Sequence, residues 1–160
     1  MIFTAYAYAV YVRLMLVIAV AVVTACTPST PTVKPRPDPT KEASYRDAVE
    51  QLTVLNRELE TAVGKRRSKQ AAEIITKAQP IANLLLAAPR PTLAATQAAS
   101  EFDDLYGRQL LANRQYGYAR FQFQRNLARW KNWRPQTEDA ERRRKIAEAG
   151  IAECDRLLSK

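Results

Sequence analysis

Five of the nine prolines in this 160-residue chain fall between Thr27 and Thr40, in the run Thr-Pro-Ser-Thr-Pro-Thr-Val-Lys-Pro-Arg-Pro-Asp-Pro-Thr. Proline lacks a backbone donor and fixes its own φ, so neither a helix nor a sheet ladder continues through such a stretch. The chain therefore divides into an apolar N-terminal segment, an extended spacer and a domain that starts near Lys41. At about 3.1 Å per residue in a polyproline II conformation, the spacer spans up to ~40 Å.

The segment before the spacer holds Arg13 followed by Leu14-Met15-Leu16-Val17-Ile18-Ala19-Val20-Ala21-Val22-Val23, and closes on Val23-Thr24-Ala25-Cys26. The apolar run has the length of a signal-peptide core and is short for a membrane span. An aliphatic residue, two small residues and a cysteine resemble the lipobox of bacterial lipoproteins. The resemblance covers about the first 26 residues. It implies a signal peptide over 1–25, a diacylglyceryl (and palmitate-type acyl) group on Cys26, and residues 26–40 as the lipidated cysteine and its linker. It also implies a place in the cell envelope, at the outer membrane facing the periplasm if the cell is Gram-negative, because Thr27 rather than Asp follows Cys26. A membrane helix from about Ile2 to Ala25 is the alternative. Met1 to Val12 carries no cation, and a start at Val12 would give a compact signal peptide beginning just before Arg13.

Residues 41–160 are poor in glycine and rich in Ala, Leu, Arg, Lys, Gln and Glu, which lose little side-chain freedom in a helix. No segment alternates in the manner of a strand. Tyr45, Ala48, Leu52, Leu55, Leu59 and Ala62 recur at spacings of three and four, predicting an amphipathic helix that ends near Gly64 and Lys65-Arg66-Arg67. Ser68 is positioned to cap a second helix with Ala71, Ile74, Ile75, Ala78, Ile81, Ala82 and Leu85 on its apolar face, and Pro80 is expected to kink or split it. After Pro89-Arg90-Pro91, one long pattern runs from about Thr92 to Trp133. Its inward stripe reads Phe102, Leu105, Gln109, Ala112, Tyr116, Ala119, Phe123, Leu127 and Trp130, flanked by Tyr106, Leu110 and Phe121, with Gly107 and Gly117 as weak points. Pro135 ends it, and Thr137 opens a last helix carrying Ala140, Ala147, Ile151, Cys154 and Leu158 inward. The expected architecture is all-α: a small antiparallel bundle of three to four helices.

The chain has no histidine. That removes histidine-based nucleophilic catalysis, histidine-ligated metals and c-type haem attachment. Asp103 and Asp104 are adjacent and diverge on a helix, so they suit neither a metal nor acid–base work. The expectation is a non-enzymatic chain with no cofactor and no metal site. Its formal charge of +9 becomes +8 once Arg13 is removed, and suggests an anionic partner. An exported chain points away from nucleic acid and toward an envelope protein or an anionic polymer, besides the membrane itself. Between Leu105 and Gln136 no acidic residue occurs. Arg114, Arg125 and Arg129 fall opposite the aromatic stripe, and Tyr118 projects on the same side. These four residues are the expected contact surface, and Cys26 the expected lipidation site. Cys154, in phase with the inward stripe, is expected to be a buried thiol.

Overall fold

The structure is a computed structural model and describes residues 37–160. Cys26, the lipobox-like motif and the spacer through Arg36 lie outside the described residues, whereas the end of the expected spacer, from Asp38, belongs to the folded unit. Asp38–Lys160 forms one compact unit. A single 3-10 turn, Pro39–Lys41, leads into α1 (Ala43–Gly64), followed by α2 (Ser68–Leu86), α3 (Leu93–Ala112), α4 (Tyr116–Asn132) and α5 (Glu138–Leu158). Among the described residues there is no strand, and no helix is long and apolar enough to cross a membrane.

Helix α3 holds the unit together. Eleven of its twenty residues are buried, against three of twenty-one in α5. On one side Ala95, Ala98, Ala99, Phe102 and Leu105 pack with Leu52, Leu59, Ala71, Ile74, Ile75, Ala78 and Leu85 of α1 and α2. On a second side Leu110 joins Ala119, Phe123 and Cys154 of α4 and α5. At 3.6 residues per turn, these two sets stand about 100° apart around α3. The unit is thus two three-helix packs sharing one helix.

The sequence expectation of three to four helices falls short because its long third pattern is two helices. The chain turns back at Asn113-Arg114-Gln115, with Arg114 at φ 60°. Arg114 N–H donates to Leu111 O (3.0 Å) and Gln115 N–H to Leu110 O (2.9 Å). This is a Schellman closure with arginine where glycine usually stands. The α1–α2 corner repeats it: Arg66 lies at φ 53°, with bonds from Arg66 N–H to Val63 O (3.0 Å) and Arg67 N–H to Ala62 O (2.9 Å). The left-handed residue is Arg66, whereas Gly64 is the last helical one. The turn at 113–115 also leaves Ala112 exposed and Tyr116 half-buried, not inward as expected.

Three other local expectations change. Pro80 does not split α2, because it lies on the exposed face, where the carbonyl it orphans meets water. Ser68 is the first residue of α2 and provides no capping bond. Leu158 is exposed although in phase with Cys154, because α4 starts only at Tyr116 and has no turn left to cover it. Thr92 and Thr137 do cap α3 and α5, accepting from Ala95 N–H and Ala140 N–H at 3.2 Å each.

Gly107 is not a weak point but a socket. A Cβ there would sit 2.7 Å from the Phe123 ring, and one at Gly150 would sit 2.7 Å from the ring's other edge. Phe123 of α4 is therefore clasped between a glycine on α3 and a glycine on α5. Gly107→Ala or Gly150→Ala is expected to cost about 1–3 kcal/mol by overpacking, read as an earlier midpoint in urea unfolding followed by circular dichroism. Arg66→Gly and Arg114→Gly are expected to move the midpoint the other way, by roughly 0.5–1 kcal/mol each, because glycine meets no Cβ penalty at positive φ.

Candidate functional site

The four residues singled out on α4 and the corner before it do not share one environment. Arg129 turns inward: its Nη2 lies 2.7 Å from Asp103 Oδ2, and its side chain is only 13% exposed. Arg125 approaches the other carboxylate oxygen of Asp103 at 3.6 Å. The expectation of an outward arginine row is corrected to this extent. The counter-charge comes from α3, 26 and 22 residues upstream, rather than from three or four residues away. Arg114 sits on the α3–α4 corner and is exposed, with no carboxylate within ion-pair distance among the described residues. Tyr118 is 72% exposed.

Asp103 belongs to a buried polar junction between α3 and α4. Trp130 Nε1 donates to Ser100 Oγ (2.6 Å), and Ser100 Oγ donates in turn to Asn126 Oδ1 (2.7 Å). Asn126 Nδ2 donates to the Ser100 carbonyl (3.1 Å), and Arg129 Nη1 donates to Asn126 Oδ1 (3.2 Å). Each of these side chains is thereby paired, as buried polar groups require; one turn away on α4, Gln122 is buried with its Oε1 unpartnered. Burial pushes the Asp103 carboxyl above its usual value, and the guanidiniums of Arg129 and Arg125 pull it back. The outer edge of the junction is closed by α5. Arg143 lies 5.5 Å over the Trp130 ring, and its Nε donates to Asp139 Oδ2 (2.8 Å), which also accepts from Gln97 of α3 (3.1 Å). The Arg143 hydrogen bond holds the Asp139 carboxyl below its ordinary value. Trp133 covers the end of the stack at 5.9 Å from Trp130.

The basic run Arg142-Arg143-Arg144-Lys145 is engaged within α5. Arg142 and Arg143 pair with Asp139, Arg144 reaches Glu141 and Glu148, and Lys145 reaches Glu141. Cys154 is fully buried, and that burial raises its thiol pKa. Among the described residues no group of three or more Cys, Asp or Glu converges in the manner of a metal site.

The outward side of α4 carries a second aromatic that the sequence stripe had placed at its flank. Phe121 is 56% exposed, three residues from Tyr118 and four from Arg125. On a helix these three share one strip of surface. Its signal was available: Phe121 lies two residues from Phe123, so the two rings cannot point the same way. Asp103 could have been found only by placing the turn. Once the chain reverses at Gln115, Ser100 falls opposite Trp130 and Gly107 opposite Phe123.

Comparison with known proteins gives no match to a family model, a curated protein or a solved structure.

Removing one partner of a buried ion pair strands the other, at a cost of about 3–5 kcal/mol when neither reaches water. Asp103→Asn is expected near the lower end of that range, because Arg129 retains some solvent access. Asp103→Leu combined with Arg129→Met should recover most of the loss. A double variant as unstable as the single one in chemical denaturation would show that the pair does more than neutralise itself.

Proposed function

We propose that this chain is a lipid-anchored protein of the cell envelope that acts by binding or scaffolding rather than by catalysis. The observation that carries the reading is the motif Val23-Thr24-Ala25-Cys26, at the end of an apolar run and immediately before the proline-rich spacer. The lipid supplies location, the spacer reach, and the helical unit a contact surface. Two features support a non-enzymatic role. The chain has no histidine, and its most deeply buried carboxylate, Asp103, is occupied by two arginines. A carboxylate held in that way is not free to act as an acid or base on a substrate.

A second reading is a module for an anionic polymer or lipid. It is favoured by Tyr118 and Phe121, which stand exposed beside Arg125 and follow Arg114 on the same helix and its corner. Attraction of that kind weakens between low and moderate salt, whereas an apolar protein interface does not.

Mass spectrometry of protein extracted from membranes tests the anchor. A mature chain that begins at Cys26 and carries added acyl mass is the expected result. An intact N-terminus, or a Cys26→Ser chain that is still cleaved and still held by membranes, would overturn the reading.

A further inference from the structure

The two left-handed corners lie at the same end of the helical unit. The chain enters the unit at Asp38, and Tyr45 near the start of α1 donates its hydroxyl to Leu85 O at the end of α2 (2.9 Å). Helix α3 starts at this entry end too, and Gln97 in its second turn meets Asp139 at the start of α5 (3.1 Å). The α1–α2 corner and the α3–α4 corner are therefore both at the far end, separated from the entry by the 22 residues of α1, or about 33 Å.

The far end is densely basic. Lys65, Arg66, Arg67 and Lys69 occupy the first corner and Arg114 the second, with no acidic residue between Glu60 and Glu73 or between Leu105 and Gln136; the end of α5 also lies here, and its acids Glu153 and Asp155 are engaged by Arg156 and Arg120. All five cations are exposed. None lies within 4 Å of a carboxylate among the described residues. At the entry end Arg129, Arg142 and Arg143 are engaged by Asp103 and Asp139, and the exposed Lys41, Arg46, Arg90 and Lys131 are interleaved in sequence or space with Asp38, Glu42, Asp47 and Glu138 rather than grouped in an acid-free run. Each basic corner also opens a helix without a side-chain cap, α2 after Arg67 and α4 after Gln115. The first-turn N–H groups of α2 thus stand among the unpaired Arg67 and Lys69, and those of α4 follow the unpaired Arg114; both features favour an anion. The start of α2 borders a shallow depression of about 470 Å³, lined by Arg67, Ser68, Lys69, Gln70 and Glu73.

We propose that this far end is a docking surface for a linear, phosphate-bearing polymer of the envelope. The proposal rests on the reading of the chain as an exported, tethered module. Two separate corners of the same geometry suit repeated charges along a chain better than a single small anion. A second copy of the protein is disfavoured, because five like charges would meet their own kind. A protein partner is disfavoured because the centres of protein interfaces are depleted in charge, whereas Lys65-Arg66-Arg67 offers little else.

The test uses the full chain in detergent, with long-chain polyphosphate as the probe and dextran as the neutral control. Binding to polyphosphate that falls steeply with salt, and none to dextran, is expected. The variant Lys65→Gln/Arg67→Gln/Lys69→Gln/Arg114→Gln should weaken it by about tenfold or more. Lys41→Gln/Arg46→Gln/Arg90→Gln/Lys131→Gln, which removes four exposed cations elsewhere, should weaken it by less than about threefold. If the first variant melts early, Lys65→Gln/Lys69→Gln against Arg46→Gln/Lys131→Gln gives the same comparison. Equal losses in the two sets would reduce the effect to net charge and overturn the proposal, as would failure of the parent to bind. Tighter binding to vesicles containing phosphatidylglycerol than to polyphosphate would make a lipid surface the occupant and overturn it too. None of these readouts depends on acylation of Cys26, so their failure leaves the anchor standing.

Discussion

Helix α3 must bury two faces at once, and the rest of the unit is arranged around that requirement. A surface helix hides one stripe and wets the other. Here Ala95, Ala98, Ala99, Phe102 and Leu105 face α1 and α2, while Ser100, Asp103, Gly107 and Leu110 face α4 and α5. A helix so placed cannot carry large side chains all round, and the small residues on α3 let its neighbours approach. The two seams differ in kind. The first is apolar, with one buried amide, Asn56, donating to Ala98 O at 2.9 Å. The second is an aromatic wedge above a polar junction.

That division gives the second seam its register. A seam of small apolar residues alone tolerates sliding, because one alanine resembles another. Phe123 between Gly107 and Gly150 fits at one height only, since any other position along the helices meets a Cβ. The junction below it fixes the same height independently, because Trp130, Ser100, Asn126, Arg129 and Asp103 must all find their partners together. A one-turn slip would strand a buried carboxylate, a guanidinium and an indole N–H, each costly in a low-dielectric interior.

The sequence made some of this visible and hid the rest for physical reasons. The stripe from Tyr45 to Ala62 and the faces of α2 and α5 follow from spacing, and Thr92 and Thr137 announce their helices by side-chain chemistry. The turn at Arg114 carries no such mark. Its αL residue is arginine, its neighbours Asn113 and Gln115 are ordinary in a helix, and the nearest glycine, Gly117, lies beyond it. What stabilises the turn is remote: the packing of Phe123 and Trp130 back onto α3. For the same reason Arg125 and Arg129 look outward in an unbroken helix but meet Asp103 once the chain reverses. Tyr118 and Arg114, which no remote contact claims, stay on the surface as their spacing suggests.

If α3 is the shared element of both packs, the unit unfolds as one. Native-state hydrogen exchange on the full chain measures this directly. Amides in the middle of α3 should exchange only with the free energy of global unfolding, and those of α1 around Leu52 and of α4 around Phe123 should converge on the same value as denaturant is added. Exchange of α4 and α5 through a much cheaper opening, with α1 to α3 still protected, would contradict it and leave α4 and α5 as a loosely docked hairpin.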